Sequence, residues 1–156
     1  MKVPYEAVRR YFPDNVSISR EELYQWIGYP ENINDPNFYN TCAIRVSLAL
    51  LGAGFPSPGT YRVKAGKYKG KMIETRQRLL NNFLVRHLGK PEEYKGGQEA
   101  QAKIGARRGL ISFFQLNGPT DNQGHIDLVA VDSWGYFRCQ DGCYWGAVKV
   151  WFWPLN

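Results

Sequence analysis

The sequence has no long hydrophobic run, few histidines and few cysteines. Because about 18 consecutive apolar residues are needed for a transmembrane helix, no membrane span is expected. Two histidines and one close cysteine pair do not supply the ligands of a zinc site, so neither a metal nor another cofactor is expected. The segment from Met1 to Glu6 lacks the apolar core of a signal peptide, so any export would need another route.

Acidic residues are also in the minority, with 14 against 20 basic residues and a formal net charge of +6. This excess favours an anionic partner such as nucleic acid, a membrane surface or a polyanionic wall. Seven basic residues cluster in one segment: Arg62, Lys64, Lys67, Lys69, Lys71, Arg76 and Arg78. The segment lacks the interleaved aromatics of a single-strand binder and matches no DNA-reading motif, so nucleic-acid binding is not expected. It is interpreted as a solvated loop and helix face, with attraction to an anionic cell wall as the functional alternative.

The length suits one domain over residues 1–156, and contents of 44% hydrophobic and 15% aromatic residues support a packed core. Helical spacing of apolar residues comes first along the chain, and strand patterns follow. We predict helices over 5–11, 19–28, 40–52, 73–88 and 99–104, and Ser19 and Glu22 form a capping box at the start of the second. Loops are predicted over 29–39, 55–71 and 90–98, and strands over 110–116, 125–131, 136–140 and 147–153. The fold class is therefore α+β, with N-terminal helices packed on a C-terminal antiparallel sheet.

The three cysteines divide into a close pair and a single residue. Cys139 and Cys143 are four positions apart, whereas Cys42 is remote from both. This spacing favours one local disulfide and one free thiol, and three reduced thiols are the alternative. A disulfide would imply an oxidising working compartment.

Cys42 lies in the first turn of the predicted third helix. Unpaired N–H groups and the helix dipole at that position stabilise a thiolate, the nucleophilic form of cysteine. His125 opens a predicted strand, and a helix-start cysteine with a strand-borne histidine is typical of hydrolases in which the histidine is the base. The alternative for Cys42 is a structural core residue. The other histidine, His87, is interpreted as a helix-face residue.

A third group is expected to orient the imidazole by accepting the hydrogen bond of its Nδ1–H. If Asp132–Gly135 closes a hairpin turn, Val131 pairs with Tyr136 and His125 faces residue 141 or 142 across the hairpin. Asp141 is therefore the favoured candidate. Asp127, two residues along the same strand face, is the alternative. Asp132 itself is interpreted as an ordinary turn residue.

The residues just before Cys42 are candidates for contacts with substrate. Backbone N–H groups near Cys42, its own included, could bind the oxyanion of a tetrahedral intermediate. Asn40 and Thr41 are candidate oxyanion or substrate residues. A plain N-cap is the favoured interpretation of Asn40.

Several segments, taken together, resemble one known family. Asn40–Ser47 (NTCAIRVS) is similar to a nucleophile segment, and Gly124–Leu128 (GHIDL) looks like a histidine segment. Cys139–Cys143 (CQDGC) and Val150–Trp153 (VWFW) resemble the C-terminal end of the same proteins. These proteins are the type VI secretion amidase effectors of the fourth family.

The resemblance implies an NlpC-type papain-like fold with Cys42 as nucleophile, His125 as base and Asp141 as orienting acid. It implies an endopeptidase that cuts peptidoglycan stem peptides between D-glutamate and meso-diaminopimelate. It also implies delivery by a type VI apparatus into the periplasm of a rival cell, and a cognate immunity protein as partner. One departure is Val129–Trp134, which lengthens the hairpin after the histidine segment relative to these effectors.

Two other functions fit the same residues. The first keeps the papain-like site but transfers the acyl group to an amine, as in transamidation. The second is a non-enzymatic basic binding module in which Cys42 belongs to the core.

Overall fold

The computed structural model describes residues 3–156. The first two residues, on which the expected lack of a signal peptide partly rests, lie outside the described part of the chain. The helices are α1 (Tyr5–Arg10), α2 (Arg20–Ile27), α3 (Cys42–Gly52), α4 (Gln77–Leu88) and α5 (Gly97–Ile104), with short 3₁₀ helices at Pro30–Asn34 and Pro36–Phe38. The strands are β1 (Tyr61–Arg62), β2 (Met72–Ile73), β3 (Glu92–Tyr94), β4 (Gly109–Phe114), β5 (Gly124–Val131), β6 (Phe137–Cys139) and β7 (Lys149–Pro154).

Helices dominate the N-terminal half and an antiparallel sheet the C-terminal half, which confirms the α+β fold class. The chain divides into two compact units, one formed by Ala7–Phe83 and the other by Leu84–Asn156 with the segment that ends at Glu6. The expectation of a single domain stays a prediction. Across residues 3–156, no helix is long and apolar enough to cross a bilayer.

The unit formed by Ala7–Phe83 is built around α2 and α3. Ser19 and Glu22 form the predicted capping box at the start of α2, each side chain accepting the backbone N–H of the other residue. Gly28 ends this helix at a φ of 89°, a left-handed conformation that favours glycine. The apolar residues of both helices join others in one buried cluster: Leu23, Tyr24, Ile27, Tyr29, Ile44, Leu48, Val63 and Ile73.

Residues 55–76 differ from the prediction. The predicted loop contains β1, and β1 pairs with β2 so that Tyr61 lies opposite Ile73. The predicted helix start near Ile73 is therefore wrong, since α4 begins at Gln77. Ile73 is fully buried in the apolar cluster of this unit. It is buried there as part of the extended strand β2 and not as part of an additional turn of α4.

The other unit contains a five-stranded sheet in the order β3–β7–β4–β5–β6, and all neighbouring strands are antiparallel. Its apolar cluster combines residues of α5 with residues of the sheet: Ala100, Ile104, Ile111, Phe113, Val129, Ala147, Val150 and Phe152. Strand β3 lies in the predicted polar loop 90–98, so that prediction is wrong for Glu92–Tyr94. A polar composition suits β3 because it is an edge strand. Arg107 binds Glu92 with two hydrogen bonds and lowers the pKa of that carboxyl.

A buried arginine fixes the start of α3. Arg45 is 2% exposed, and its Nε donates a hydrogen bond to Thr41 Oγ1 at 2.9 Å. Its Nη1 donates to the backbone carbonyls of Pro13 and Ile18 at 2.7 and 2.8 Å. Since a buried guanidinium is costly unless it is hydrogen bonded, these contacts hold residues 13–18 against the first turn of α3. That turn begins with Cys42.

We predict that Arg45→Met lowers the free energy of unfolding by about 2–4 kcal/mol, because the carbonyls of Pro13 and Ile18 lose a charged donor in a buried place. Arg78→Met, an exposed arginine in the same unit, serves as the matched control and should change it by less than about 0.5 kcal/mol. Urea unfolding followed by circular dichroism measures both values. Equal, small losses in the two variants would show that the Arg45 contacts do not stabilise this unit.

Candidate active site

Cys42 lies in the first turn of α3, as predicted, and is the first residue of that helix. Its side chain is buried at 5% exposure. Its backbone N–H donates to Asn40 Oδ1 at 3.0 Å. Asn40 therefore acts as a local acceptor just before the helix, but Thr41 occupies the N-cap position, so the favoured interpretation of Asn40 as a plain N-cap is wrong. Because Asn40 Oδ1 already accepts this N–H, the N–H of Cys42 can bind an oxyanion only after that hydrogen bond breaks.

The thiol of Cys42 is free, and the other two cysteines form a disulfide. The Cys139–Cys143 bridge confirms the pairing that the spacing favoured, with its Cα atoms 5.2 Å apart. It closes a loop of three residues, Gln140–Gly142, at the end of β6. Cys42 is thus the one cysteine within residues 3–156 available as a nucleophile.

His125 lies at the start of β5, also as predicted, and is 7% exposed. It pairs across the sheet with Phe113 of β4, and the two rings stack with their centroids 6.3 Å apart. Tyr144 packs edge-on against the imidazole, with a centroid distance of 5.0 Å. Two aromatic neighbours therefore restrict the imidazole plane before any polar contact is considered.

The carboxyl group of Asp127 holds this imidazole. Asp127 is fully buried, and its Oδ2 lies 2.8 Å from His125 Nε2. Oδ2 also accepts the backbone N–H groups of Asp141 and Gly142, at 2.9 and 3.2 Å. Oδ1 accepts those of Leu128 and Gln140, at 2.7 and 3.0 Å. The buried carboxyl group thus has five nitrogen partners: His125 Nε2 and four backbone N–H groups. We call this set of contacts around the carboxyl group the Asp127 cradle.

The cradle determines which nitrogen of His125 carries the proton. The four backbone partners can only donate, so both oxygens of Asp127 accept, and an ionised Asp127 requires His125 Nε2 to be the donor. In the neutral imidazole, Nδ1 then carries the basic lone pair. The prediction that the third group binds Nδ1–H is therefore wrong for Asp127, which binds Nε2 instead.

The hairpin between β5 and β6 explains why Asp127 takes this position. Val131 pairs with Phe137, so the predicted pair of Val131 with Tyr136 is wrong by one residue. The shifted register, continued along the strands, places Asp141 opposite Asp127 and not opposite His125. Accordingly, it is the main chain of Asp141 that meets the Asp127 carboxylate. A catalytic role for the Asp141 side chain stays a prediction.

Asp132 organises the turn of this hairpin, as predicted. Its Oδ1 accepts the N–H groups of Trp134 and Tyr136, and its Oδ2 accepts a hydrogen bond from Arg138 Nε at 2.8 Å. The hydrogen bond from Arg138 is the main cause that lowers the pKa of Asp132, and the backbone hydrogen bonds of the turn lower it further. The turn thus takes one residue more than the prediction allowed, and this addition sets the register of β6.

The disulfide loop is shaped to point its N–H groups at Asp127. Gly142 has a φ of 145°, a conformation that side-chain-bearing residues rarely adopt. The Cys139–Cys143 bridge fixes both ends of the loop. The cradle could not be found from sequence because three of its donors are backbone groups that lie 13 to 15 positions beyond Asp127.

The predicted residues fall into two groups. His125, Asp127, Asp141 and the disulfide lie together in the sheet-containing unit, while Asn40, Thr41 and Cys42 lie together in the unit formed by Ala7–Phe83. Arg45 was not predicted, although a lone charge inside the apolar helix CAIRVSLALLG is a signal for a buried, hydrogen-bonded cation. Within residues 3–156, no group of three or more His, Cys, Asp or Glu side chains is arranged to hold a metal ion.

Several solved structures share the fold over the whole chain. Tae4 from Enterobacter cloacae is 25% identical with a TM-score of 0.75, and the match covers 100% of this chain and 98% of that chain. The Tae4–Tai4 effector–immunity complex from E. cloacae gives 24% identity, a TM-score of 0.74 and full coverage of both chains. The corresponding complex from Salmonella Typhimurium gives 21%, 0.70 and full coverage of both. This likeness confirms the papain-like fold that the resemblance implied.

A family model also matches the sequence itself. It describes type VI secretion system (T6SS), amidase effector protein 4 (Tae4), and it matches residues 38–153. The comparison with curated proteins gave no match. The family match spans most of the chain and includes the free thiol of Cys42, the histidine at the start of β5 and the disulfide loop. The chain therefore belongs to the Tae4 family of type VI secretion amidase effectors, which are antibacterial peptidoglycan amidases.

Proposed function

We propose that the chain is a cysteine endopeptidase that hydrolyses the bond between D-glutamate and meso-diaminopimelate in peptidoglycan stem peptides. The observation that carries this proposal is the hydrogen bond between buried His125 and the buried carboxyl group of Asp127. A histidine so restrained presents one defined basic nitrogen. The free thiol at the start of α3 supplies the matching nucleophile type, and the amidase family supplies the reaction class.

In the proposed reaction, His125 Nδ1 takes the thiol proton of Cys42 and the thiolate attacks the carbonyl carbon on the glutamate side. Backbone N–H groups bind the oxyanion of the tetrahedral intermediate. The C–N bond then breaks while the protonated imidazole gives its proton to the departing amine. A thioester to Cys42 remains. His125 next activates a water molecule, which releases the glutamate carboxylate and regenerates the thiol.

The carboxylate that orients His125 is proposed to be Asp127. Its negative charge stabilises the imidazolium that forms in each half of the reaction, and its four backbone donors keep it in place. The resemblance gives this role to Asp141. In the structure, the backbone N–H of Asp141 belongs to the cradle, so both aspartates support the same imidazole by different atoms.

The working compartment is proposed to be the periplasm of a rival cell, reached by type VI delivery. The Cys139–Cys143 disulfide, which supports the cradle, forms and persists in such an oxidising compartment. A cognate immunity protein is the proposed partner, since the similar solved structures include complexes of Tae4 with the immunity protein Tai4. Such a partner would protect the producing cell and its siblings.

We predict that Cys42→Ala and His125→Ala each abolish stem cleavage, because one removes the nucleophile and the other the base. Purified wild type should convert stem peptides into two fragments whose combined mass exceeds the substrate by one water, as measured by mass spectrometry. Unchanged thermal unfolding of the variants is the control for folding. Wild type that leaves stem peptides intact would defeat the proposed specificity, and a product carrying an added amine would indicate transamidation instead.

The two aspartates can be separated by amide substitution. We predict that Asp127→Asn lowers kcat by about 100-fold or more, because an amide cannot accept from all five N–H donors. Asp141→Asn keeps the backbone N–H and should lower kcat by less than about fivefold, a difference of about 1 kcal/mol in the activation barrier. The measurements are kcat on a soluble stem peptide and the unfolding midpoint of each variant.

A large loss of kcat in Asp141→Asn with an unchanged unfolding midpoint would assign the catalytic carboxylate to Asp141. If Asp127→Asn then lost only stability, Asp127 would be a structural residue. The paired variants therefore decide between the two assignments whichever way the result falls.

A further inference from the structure

Almost all of the net positive charge comes from one β-hairpin, residues 60–73, which contains β1 and β2 and which we call the basic hairpin. None of the 14 acidic residues and five of the 20 basic residues lie in it, so it accounts for five of the six net charges of the chain. The five are Arg62, Lys64, Lys67, Lys69 and Lys71. The rest of the sequence is close to neutral.

The basic hairpin is a fixed structure. Val63 donates its N–H to Lys71 O, and Gly70 donates its N–H to Val63 O, both at 2.8 Å. The hairpin is attached to the end of α2, because Lys64 donates its N–H to Ile27 O at 2.9 Å. The hydroxyl of Tyr29 donates to Arg62 O. The backbone that carries the cations is therefore held by hydrogen bonds within the hairpin and by hydrogen bonds to Ile27 and Tyr29.

The hairpin is amphipathic. Val63 and Ile73 are buried in the apolar cluster of their unit, whereas all five basic residues are exposed. The ammonium groups of Lys64 and Lys67 lie over the rings of Tyr29 and Tyr11, with distances to the ring centroids of 4.5 and 5.1 Å. Within residues 3–156, no carboxylate forms a salt bridge with the five cations, so their charge is not neutralised locally.

We infer that the basic hairpin is the surface by which this effector binds the polymeric peptidoglycan wall. The inference rests on the proposed function, because stem peptides repeat along the polymer and each carries free carboxylates. Four of the five cations are lysines, which act as hydrated point charges and suit diffuse attraction to many carboxylates more than recognition of one planar group. Such a surface retains the enzyme on an insoluble polyanion while the active site acts on one stem after another.

The hairpin contribution can be measured without catalysis, as sedimentation of Cys42→Ala protein with purified sacculi. Lys67→Gln, Lys69→Gln and Lys71→Gln are introduced together in one variant. The matched control is Lys90→Gln, Lys95→Gln and Lys103→Gln, which removes the same charge from exposed lysines of the other unit. We predict that the hairpin variant binds sacculi about tenfold more weakly at low ionic strength and that the control stays within about twofold of the parent. The difference should shrink as salt screens the charges.

Two further measurements make the test decisive. With Cys42 restored, cleavage of a short soluble stem peptide should be unchanged in the hairpin variant, since only retention on the polymer depends on the hairpin. Equal losses in the hairpin and control variants would overturn the inference in favour of net charge alone. If the hairpin variant binds phosphatidylglycerol vesicles more weakly than its parent but binds sacculi equally well, the hairpin is a lipid-binding surface. That result would also overturn the inference. A failure of wild type to cleave stem peptides would defeat the proposed function without affecting the binding result.

Discussion

The buried carboxylate of Asp127 is the group on which the candidate active site depends. A charge that is fully removed from water must be satisfied by donors, and five N–H groups converge on this one. Three of them come from the loop that the Cys139–Cys143 disulfide closes. The same contacts that neutralise the anion therefore fix His125 Nε2 and leave Nδ1 as the basic nitrogen. The hairpin register, the disulfide loop and the imidazole orientation all meet at this one buried carboxylate.

A second buried charge has a corresponding role at the other group of predicted residues. Arg45 donates to Thr41 Oγ1 and to two backbone carbonyls, and Thr41 directly precedes Cys42. Asn40 Oδ1 accepts the N–H of Cys42 itself. The position of the thiol at the helix start thus depends on polar contacts that replace water around the first turn. Both proposed reacting residues lie next to buried charges whose hydrogen bonds resist local displacement.

The sequence predicted those features that depend on neighbouring residues. The capping box at Ser19, the helix that carries Cys42 in its first turn and the local disulfide all follow from spacings of a few positions. Features that depend on distant partners were missed. Strands β1 and β2 are two residues each and take their stability from Tyr61 pairing with Ile73, and the β5–β6 register shifted because the Asp132 turn is one residue longer than expected. The cradle consists mainly of backbone donors, which no side-chain pattern reveals.

His125 is proposed to activate the thiol of Cys42, and the rate at which iodoacetamide alkylates that thiol measures this activation. Cys42 is the free cysteine, so the reaction reports on one residue without a substrate. We predict rapid alkylation of wild type at neutral pH and a decrease of at least about tenfold in His125→Ala. Slow alkylation that is the same in both proteins would identify Cys42 as a buried structural thiol and rule out its activation by His125.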